Sequence, residues 1–430
     1  MEAANRSAGA APESAHDRIG LALLAVALAY VSLGVILGFV QGGIAPILRT
    51  QGMALSTMRW VYALYLPFGI AFLWAPVVDS WRWPWLGRRT GWIIPMQWVA
   101  VFAILAAAFH EPAHGAWSTL LILGVVATLA AATMDVALDA LTVEMIPQAQ
   151  RPAAAAAKMG GVSLGSVLGG GVLIALYPQL AWQGTMWVIA ALMALSGVPV
   201  LALIRRDRQL SIQSTQSIQS IQSIRSRRQR ASIRQTLRKP GMKTRFIRLT
   251  LLVCTLLALF NFNRLLLVDM GVSLERIGSV LGTIAPLANA AACVLAPFLV
   301  RWLPLRNAAS LMAAVCLVSA GTVWVGFSQG SAMTAMIGSV LTTAGASALY
   351  VVLGGLILEW ATGDQAATDY ALLYGLGRFI GTAALLVLPG LIQVIGWSRF
   401  QACIVIAFAA SAWYFMRMFH GPAAKAGSEP

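Results

Sequence analysis

Charged side chains are scarce in this sequence: Asp, Glu, Lys and Arg make up 10% of 430 residues, whereas hydrophobic residues make up 59%. A soluble globular chain carries about 25% charged residues, so this composition excludes an ordinary water-soluble domain. Cysteine and histidine are also rare, with four of each. The cysteines show no CxxC spacing and the histidines no metal-binding helical spacing, so neither a disulfide framework nor a metal centre is expected.

Motifs for catalysis and nucleotide binding are missing as well. The sequence has no G-x-x-x-x-G-K-[ST] loop to hold the phosphates of ATP. We therefore expect no enzyme and no cofactor. Any work done by this protein must draw on an ion gradient, a substrate gradient or a partner.

Long apolar runs are what the sequence does contain. Each run is long enough to cross the roughly 30 Å hydrocarbon core of a bilayer as a helix. Polar segments separate the runs into six before and six after residues 205–246. The predicted spans cover residues 20–42, 58–80, 91–109, 117–146, 157–178, 184–204, 247–268, 277–299, 306–327, 332–359, 369–395 and 399–418.

The basic residues are concentrated between the two groups of spans. The net charge of the chain is +15. Between Arg205 and Arg248 there are 13 Lys and Arg residues and one acid. Residues 205–246 are polar, repetitive and typical of a linker, and their position favours a topology signal over nucleic-acid binding. Lys and Arg are in excess in the short loops on one side of the predicted spans, and such loops usually lie in the cytoplasm. We therefore expect the cytoplasm to contain this linker, the N-terminal tail (1–19) and the C-terminal tail (419–430).

We therefore predict an all-α integral membrane protein with an N-terminal six-helix half (20–204) and a C-terminal six-helix half (247–418). No cleavable signal is visible, because the polar first residues lead into a full-length span. The expected location is the inner membrane of a bacterium, and a monomer is expected. A channel or structural membrane protein remains an alternative to a carrier. It predicts transport without saturation or exchange.

Two acids interrupt the fourth apolar span, at Asp135 and Asp139. A spacing of four places both on one helix face. Ionisable groups at membrane depth are costly and commonly mark proton relays or substrate paths. The pair therefore indicates either proton coupling or a gate in which the acids pair with basic residues, and both roles can coexist.

Several stretches resemble one family of carriers. The loop after the second span resembles the signature loop of the major facilitator superfamily, and the six-plus-six plan is similar to its fold. Five stretches resemble its muropeptide permease (AmpG) and acetyl-CoA transporter branch. They are F-L-W-A-P-V-V-D (72–79), L-G-R-R-T-G-W (86–92), M-D-V-A-L-D-A (134–140), A-T-D-Y-A-L-L (367–373) and I-G-W-S-R-F (395–400).

The resemblance implies a carrier. Together with the charges it indicates a cytoplasmic gate at Asp79, Arg88 and Arg89, with a purely topogenic role of the two arginines as the alternative. A twelve-span chain with Asp369, where the muropeptide permeases have Gln, is most similar to the compact siderophore permeases of the FptX and RhtX type. We therefore expect import of a siderophore such as ferric pyochelin. Import of a muropeptide, an anhydro-sugar peptide, is the alternative, and efflux of a small organic solute is a further one.

Candidate substrate residues lie in other spans. Arg378 falls near mid-membrane, where its planar guanidinium suits either a substrate anion or a helix acid. Arg264 either lines the cavity, snorkels to the interface or pairs with Asp269. The remaining candidates for contact with the solute are Gln41, Tyr30, Tyr374, Asp369 and Asn261.

Overall fold

A computed structural model describes residues 11–81, 83, 86–112, 117–147, 151–209, 239, 241–360 and 371–420. Throughout these residues the regular structure is helical. The helices of the first part are α1 (Ala11–Gly42), α2 (Ile44–Thr50), α3 (Arg59–Ala63), α4 (Leu66–Ile70), α5 (Ala75–Ser80), α6 (Thr90–Ala108), α7 (Trp117–Met145), α8 (Arg151–Val167), α9 (Leu173–Ala175) and α10 (Tyr177–Gly197).

The second part continues the all-helical pattern. Its helices are α11 (Met242–Asn261), α12 (Asn263–Asp269), α13 (Leu274–Ser279), α14 (Ala285–Trp302), α15 (Leu305–Ser328), α16 (Ala332–Trp360), α17 (Gly377–Ala384), α18 (Leu388–Ile395) and α19 (Trp397–Met416). Within the described residues, ten helical stretches are long and apolar enough to cross a membrane, and Phe379–Ile395 is a shorter apolar one. The predicted all-α integral membrane class is confirmed.

Proline explains why the second predicted span, 58–80, is not one continuous helix. It consists of α3, α4, α5 and two 3-10 turns, Leu55–Met58 and Ala71–Leu73. Pro67 lacks an N–H and its ring crowds the carbonyl four residues earlier, and Pro76 also lacks an N–H. The helix is interrupted just before each of them. The span around Pro389 is divided in the same way, into α17 and α18.

The described residues form two compact units. One comprises those within Met1–Phe39, Ala71–Gly169 and Leu180–Arg228, and the other those within Val40–Ile70, Gly170–Gln179 and Gln229–Pro430. These units do not follow the predicted halves, because the second unit includes segments from spans one, two and five. The division into two six-helix halves stays a prediction.

Glycines allow α1 and α8 to pack closely within the first unit. A Cβ added at Gly165 would overlap the carbonyl oxygen of Val31, and one at Gly34 would overlap that of Val162. Small residues four apart permit this approach of two backbones. This close packing holds α8 against α1, and both helices contribute to a charged cluster described below.

Candidate functional site

The two acids of α7 share one cation. Lys158 of α8 places its Nζ in contact with Oδ1 of Asp139 and 3.7 Å from Oδ1 of Asp135. This common partner confirms that the spacing of four puts both carboxylates on one face. Sequence reasoning did not identify Lys158 as the partner of these acids, because the two spans that carry them are separate in the sequence.

Tyr30 of α1 joins the same cluster. Its hydroxyl donates a hydrogen bond to Oδ1 of Asp139, and its ring centroid lies 4.9 Å from Nζ of Lys158, within cation–π range. We call Tyr30, Asp135, Asp139 and Lys158 the acid cluster. The side chain of Asp139 is 52% exposed, although it lies within a predicted span.

A second network in the first unit surrounds the beginning of α6. The buried carboxylate of Asp207 accepts hydrogen bonds from the backbone N–H groups of Arg89 and Thr90, at 2.8 and 2.7 Å, and from the hydroxyl of Thr90 at 2.8 Å. A carboxylate at a helix N-terminus satisfies otherwise unpaired N–H groups and the positive end of the helix dipole. Asp207 thus fixes the loop that carries Arg88 and Arg89, the two arginines predicted to form a gate.

The guanidinium of Arg89 binds an acid on α7. Its Nε and Nη2 donate to Oε1 of Glu144 at 3.0 and 2.7 Å, and Nη1 of Arg88 lies 3.8 Å from the same oxygen. We call Arg88, Arg89, Glu144 and Asp207 the loop network. Sequence reasoning predicted the two arginines but missed both acids. The side chain of Asp79, the third predicted gate residue, lies outside the described residues.

Arg264 occupies a different environment in the second unit. Its Nη1 donates to the carbonyl oxygens of Gly42 and Gly170, and its Nη2 to that of Leu281, each at 2.8 Å. Gly170 and Leu281 lie in π-helical segments, Leu168–Val172 and Val280–Ile284. Such segments depart from the regular i to i−4 bonding of an α-helix, and Gly42 ends α1. The guanidinium therefore satisfies carbonyls at three irregular points of the backbone.

Beside Arg264, an ion pair joins α2 to the end of α12. Nε of Arg49 lies 2.6 Å from Oδ1 of Asp269, and its Nη2 lies 3.1 Å from Oδ2. Asp269 Oδ2 also accepts a hydrogen bond from Nε1 of Trp397 at 2.7 Å. In this structure Asp269 thus pairs with Arg49, whereas Arg264 binds backbone carbonyls. We call Arg264, Arg49, Asp269 and Trp397 the arginine joint.

Sequence similarity identifies the family. The chain matches the Major Facilitator Superfamily over residues 19–336. It belongs to that superfamily. Members are secondary transporters whose substrate site lies near the middle of the membrane, and the multi-pass helical fold described above agrees with this membership.

Curated relatives point to one branch of the superfamily. The anhydromuropeptide permease of Escherichia coli (strain K12) is 31% identical over 162 residues, which cover 37% of this chain and 33% of the permease. The putative transporter AmpG 4 of Rickettsia felis is 22% identical over 165 residues, 37% of this chain and 40% of that protein. The chain thus spans less than half the length of these relatives. The predicted resemblance to the AmpG branch is confirmed, and neither protein is named for a siderophore.

Solved structures of superfamily members share the fold over almost the whole chain. A nucleoside transporter has a TM-score of 0.70 at 12% identity, covering 93% of this chain and 100% of that one. A bacterial homologue of the iron transporter ferroportin has a TM-score of 0.66 at 17% identity, covering 93% and 98%. At such low identity these likenesses show the fold alone.

The other predicted substrate residues of this superfamily member are dispersed or undescribed. Asn261 donates its side-chain N–H to the carbonyl of Leu257 at 2.7 Å, within its own helix. Gln41 is exposed near the end of α1. Asp369 and the side chains of Tyr374 and Arg378 lie outside the described residues. Of the four predicted substrate residues whose side chains the structure describes, Tyr30 lies in the acid cluster and Arg264 in the arginine joint.

Proposed function

We propose that this chain is a proton-coupled carrier that imports an anhydromuropeptide, a sugar linked to a short peptide, across the bacterial inner membrane. The observation that carries the proposal is the 31% identity to the E. coli anhydromuropeptide permease over 162 residues. The whole-chain fold similarity to other transporters supports a carrier over a channel. Neither of the two relatives described above is named for the siderophore that Asp369 suggested, so a siderophore is included in the test as a second substrate.

The acid cluster is the proposed coupling element. A proton on Asp139 removes the negative charge that attracts Lys158 and occupies an oxygen that otherwise accepts a bond from Tyr30. Both contacts cross between helices, because Tyr30 lies on α1, Asp139 on α7 and Lys158 on α8. Proton binding therefore weakens two of the contacts that hold these three helices together.

Lys158 has a second acid within reach, Asp135. The loss of the ion pair between Lys158 and Asp139 is therefore reversible, because the lysine keeps an acidic partner while Asp139 is protonated. Asp135 lies 3.7 Å from Nζ, so a small rotation of the lysine side chain transfers its ion pair from a protonated Asp139 to Asp135. A carboxylate of the peptide part of the solute is a third possible partner for the same ammonium. Protonation of Asp139 then frees Lys158 for the solute, so proton and solute each strengthen the binding of the other, and this reciprocal coupling free energy links the two ligands thermodynamically.

Other predicted residues keep their proposed roles. Arg378 is proposed to bind a carboxylate of the solute, with Asp369 and Tyr374 on the same span and Gln41 and Asn261 on others. The loop network is proposed to form the cytoplasmic gate, because the bonds of Arg89 to Glu144 connect the loop before α6 to the end of α7. Gating needs a contact that is present in one conformation and absent in another.

The test is uptake by the purified full-length chain in proteoliposomes. Radiolabelled anhydromuropeptide and a labelled ferric pyochelin-like siderophore are supplied separately, each with and without an inward proton gradient. We expect saturable uptake of the anhydromuropeptide that the gradient accelerates. Uptake of the siderophore alone would contradict the proposed substrate. Uptake that does not saturate would contradict a carrier.

A further inference from the structure

Three arginines of the second unit lie over aromatic rings. The guanidinium carbon is 5.4 Å from the ring centroid for Arg245 over Trp360, 4.6 Å for Arg248 over Tyr414 and 4.7 Å for Arg417 over Trp413. A guanidinium at this distance is attracted to the ring face. We call the set the arginine–aromatic cluster, and it consists of Arg245, Arg248, Trp360, Trp413, Tyr414 and Arg417.

The residues of the three pairs lie near the ends of three helices. Arg245 and Arg248 lie one turn apart near the beginning of α11, and residues three apart are neighbours on a helix face. Tyr414 and Trp413 lie at the end of α19. The ring of Trp360, at the end of α16, lies 6.3 Å from that of Phe415 on α19, which connects the third helix to the other two.

These cations have no acidic partner among the described residues. No hydrogen bond or ion pair joins Arg245, Arg248 or Arg417 to another described side chain, whereas Arg89 binds Glu144 through two N–H groups. The Nε atom of Arg248 is buried without a hydrogen-bond acceptor. A ring covers one face of a guanidinium and leaves its N–H edge to donate, and an unmet buried donor is costly.

Nε of Arg248 is too buried to meet an outside group, but Arg417 is exposed and Arg245 and Arg248 are partly exposed. Their surroundings favour a headgroup at the membrane interface as the acceptor for their remaining N–H groups. Trp413 is 62% exposed and Tyr414 is 37% exposed, and both residue types collect where a bilayer meets water. The positive-inside rule places these helix ends at the cytoplasmic leaflet, which carries anionic lipids that attract basic segments. The planar fork of arginine matches a phosphate group.

We propose that the arginine–aromatic cluster binds the phosphate of an anionic phospholipid of the inner leaflet. The rings hold the guanidinium groups in place, and the three N–H edges donate to the phosphate oxygens. The proposal is independent of the transported solute, because no residue of the acid cluster or the arginine joint takes part. Free inorganic phosphate offers the same chemistry, so the experiment separates the two sources.

Native mass spectrometry of the full-length chain in detergent measures the binding. The protein is titrated with phosphatidylglycerol, with phosphatidylcholine and with inorganic phosphate. We expect phosphatidylglycerol to bind more tightly than phosphatidylcholine, and Arg248→Gln to weaken it about fivefold, the value of one basic residue near an anionic surface. The triple variant Arg245→Gln, Arg248→Gln, Arg417→Gln should weaken it about a hundredfold on the same basis.

Two control variants make the result specific. Arg301→Gln removes an equal charge from an exposed arginine in the last turn of α14, and it should leave phosphatidylglycerol affinity unchanged. Arg248→Lys keeps the charge but loses the planar fork, and it should lie between wild type and Arg248→Gln. Unchanged affinity in the triple variant, an equal loss in Arg301→Gln, or displacement of the lipid by millimolar phosphate would overturn the proposal. Thermal unfolding in zwitterionic detergent verifies that each variant is folded.

Discussion

Asp139 and Arg264 both place a charge inside a predicted membrane span, but they are satisfied in different ways. Asp139 binds a cation and a hydroxyl, Lys158 and Tyr30, and half of its side chain is exposed. Arg264 binds three backbone carbonyls. Side-chain partners can be exchanged when a proton or a solute arrives, whereas backbone carbonyls move only with their helices. The acid cluster is thus suited to switching and the arginine joint to holding helices in register.

This comparison predicts the largest effect at Asp139. Asp139→Asn retains an acceptor for Tyr30 but removes the charge that attracts Lys158 and the proton-binding group. Gradient-driven uptake in proteoliposomes should fall to the level of empty liposomes, while exchange of internal for external solute continues.

The matched variant Asp135→Asn leaves the ion pair of Lys158 with Asp139 intact. It should therefore lower gradient-driven uptake less than Asp139→Asn does. An equal and complete loss of gradient-driven uptake in both variants would show that the two acids act as one unit. Full gradient-driven uptake by Asp139→Asn would show that Asp139 takes no part in the coupling step.

Arg264→Gln should give the largest loss of stability. The shorter amide cannot reach three carbonyls on separate segments, and each buried carbonyl left without a donor costs about 1–3 kcal/mol. We expect unfolding in detergent at a clearly lower temperature, with a change of about 3 kcal/mol or more on this basis.

Gly42→Ala tests the same joint from the opposite side. A Cβ on Gly42 would overlap the guanidinium of Arg264, so the variant should also unfold at lower temperature. Gly160→Ala is its control, because a Cβ at Gly160 has open space around it. A stability of Arg264→Gln equal to wild type would show that the carbonyls find other donors.

Lys158→Gln should have a smaller effect on stability than Arg264→Gln. Its ion pairs are partly exposed, and such pairs contribute up to about 1 kcal/mol. Transport should change more than stability, because the lysine is the group that Asp139 releases on protonation. The double variant Asp139→Lys, Lys158→Asp should restore part of the stability lost in Lys158→Gln but not the coupling, since the lysine then sits on α7.

Asp269→Asn should give the smallest change in stability. The ion pair with Arg49 is partly exposed, so we expect at most about 1 kcal/mol. The variant should instead make this region more accessible from outside the membrane. To measure this, a cysteine is introduced at the exposed Gln41 in a chain whose four native cysteines are replaced. It should react faster with a membrane-impermeant maleimide when Asp269→Asn is present than when Asp269 is retained. Labelling unchanged from the Asp269 parent would show that the pair does not restrict this region.

Local patterns in the sequence predicted those features that depend on a single helix. The spacing of Asp135 and Asp139 predicted a shared face, and the prolines account for the interrupted second span. Partners from distant segments could not be predicted in this way. Asp207 falls among the charges of the linker but caps α6, more than a hundred residues earlier in the chain.

Backbone irregularities were equally invisible in the sequence. The carbonyls bound by Arg264 are available because two helices include π-helical segments, and an apolar run does not reveal where such a segment lies. Sequence reasoning therefore identified Arg264 as a candidate residue without identifying the carbonyls that it binds. The pairing of Asp269 with Arg49 depends on the same tertiary arrangement of α2 and α12.

Proton movement measured directly tests the central claim, that Asp139 exchanges its contact with Lys158 for a proton during transport. In weakly buffered medium, addition of anhydromuropeptide to proteoliposomes that contain the wild-type chain should make the external solution more alkaline as protons enter with the solute. Asp139→Asn, at equal protein content and with exchange activity intact, should give no such signal. Alkalinisation by that variant equal to the wild type would contradict the account.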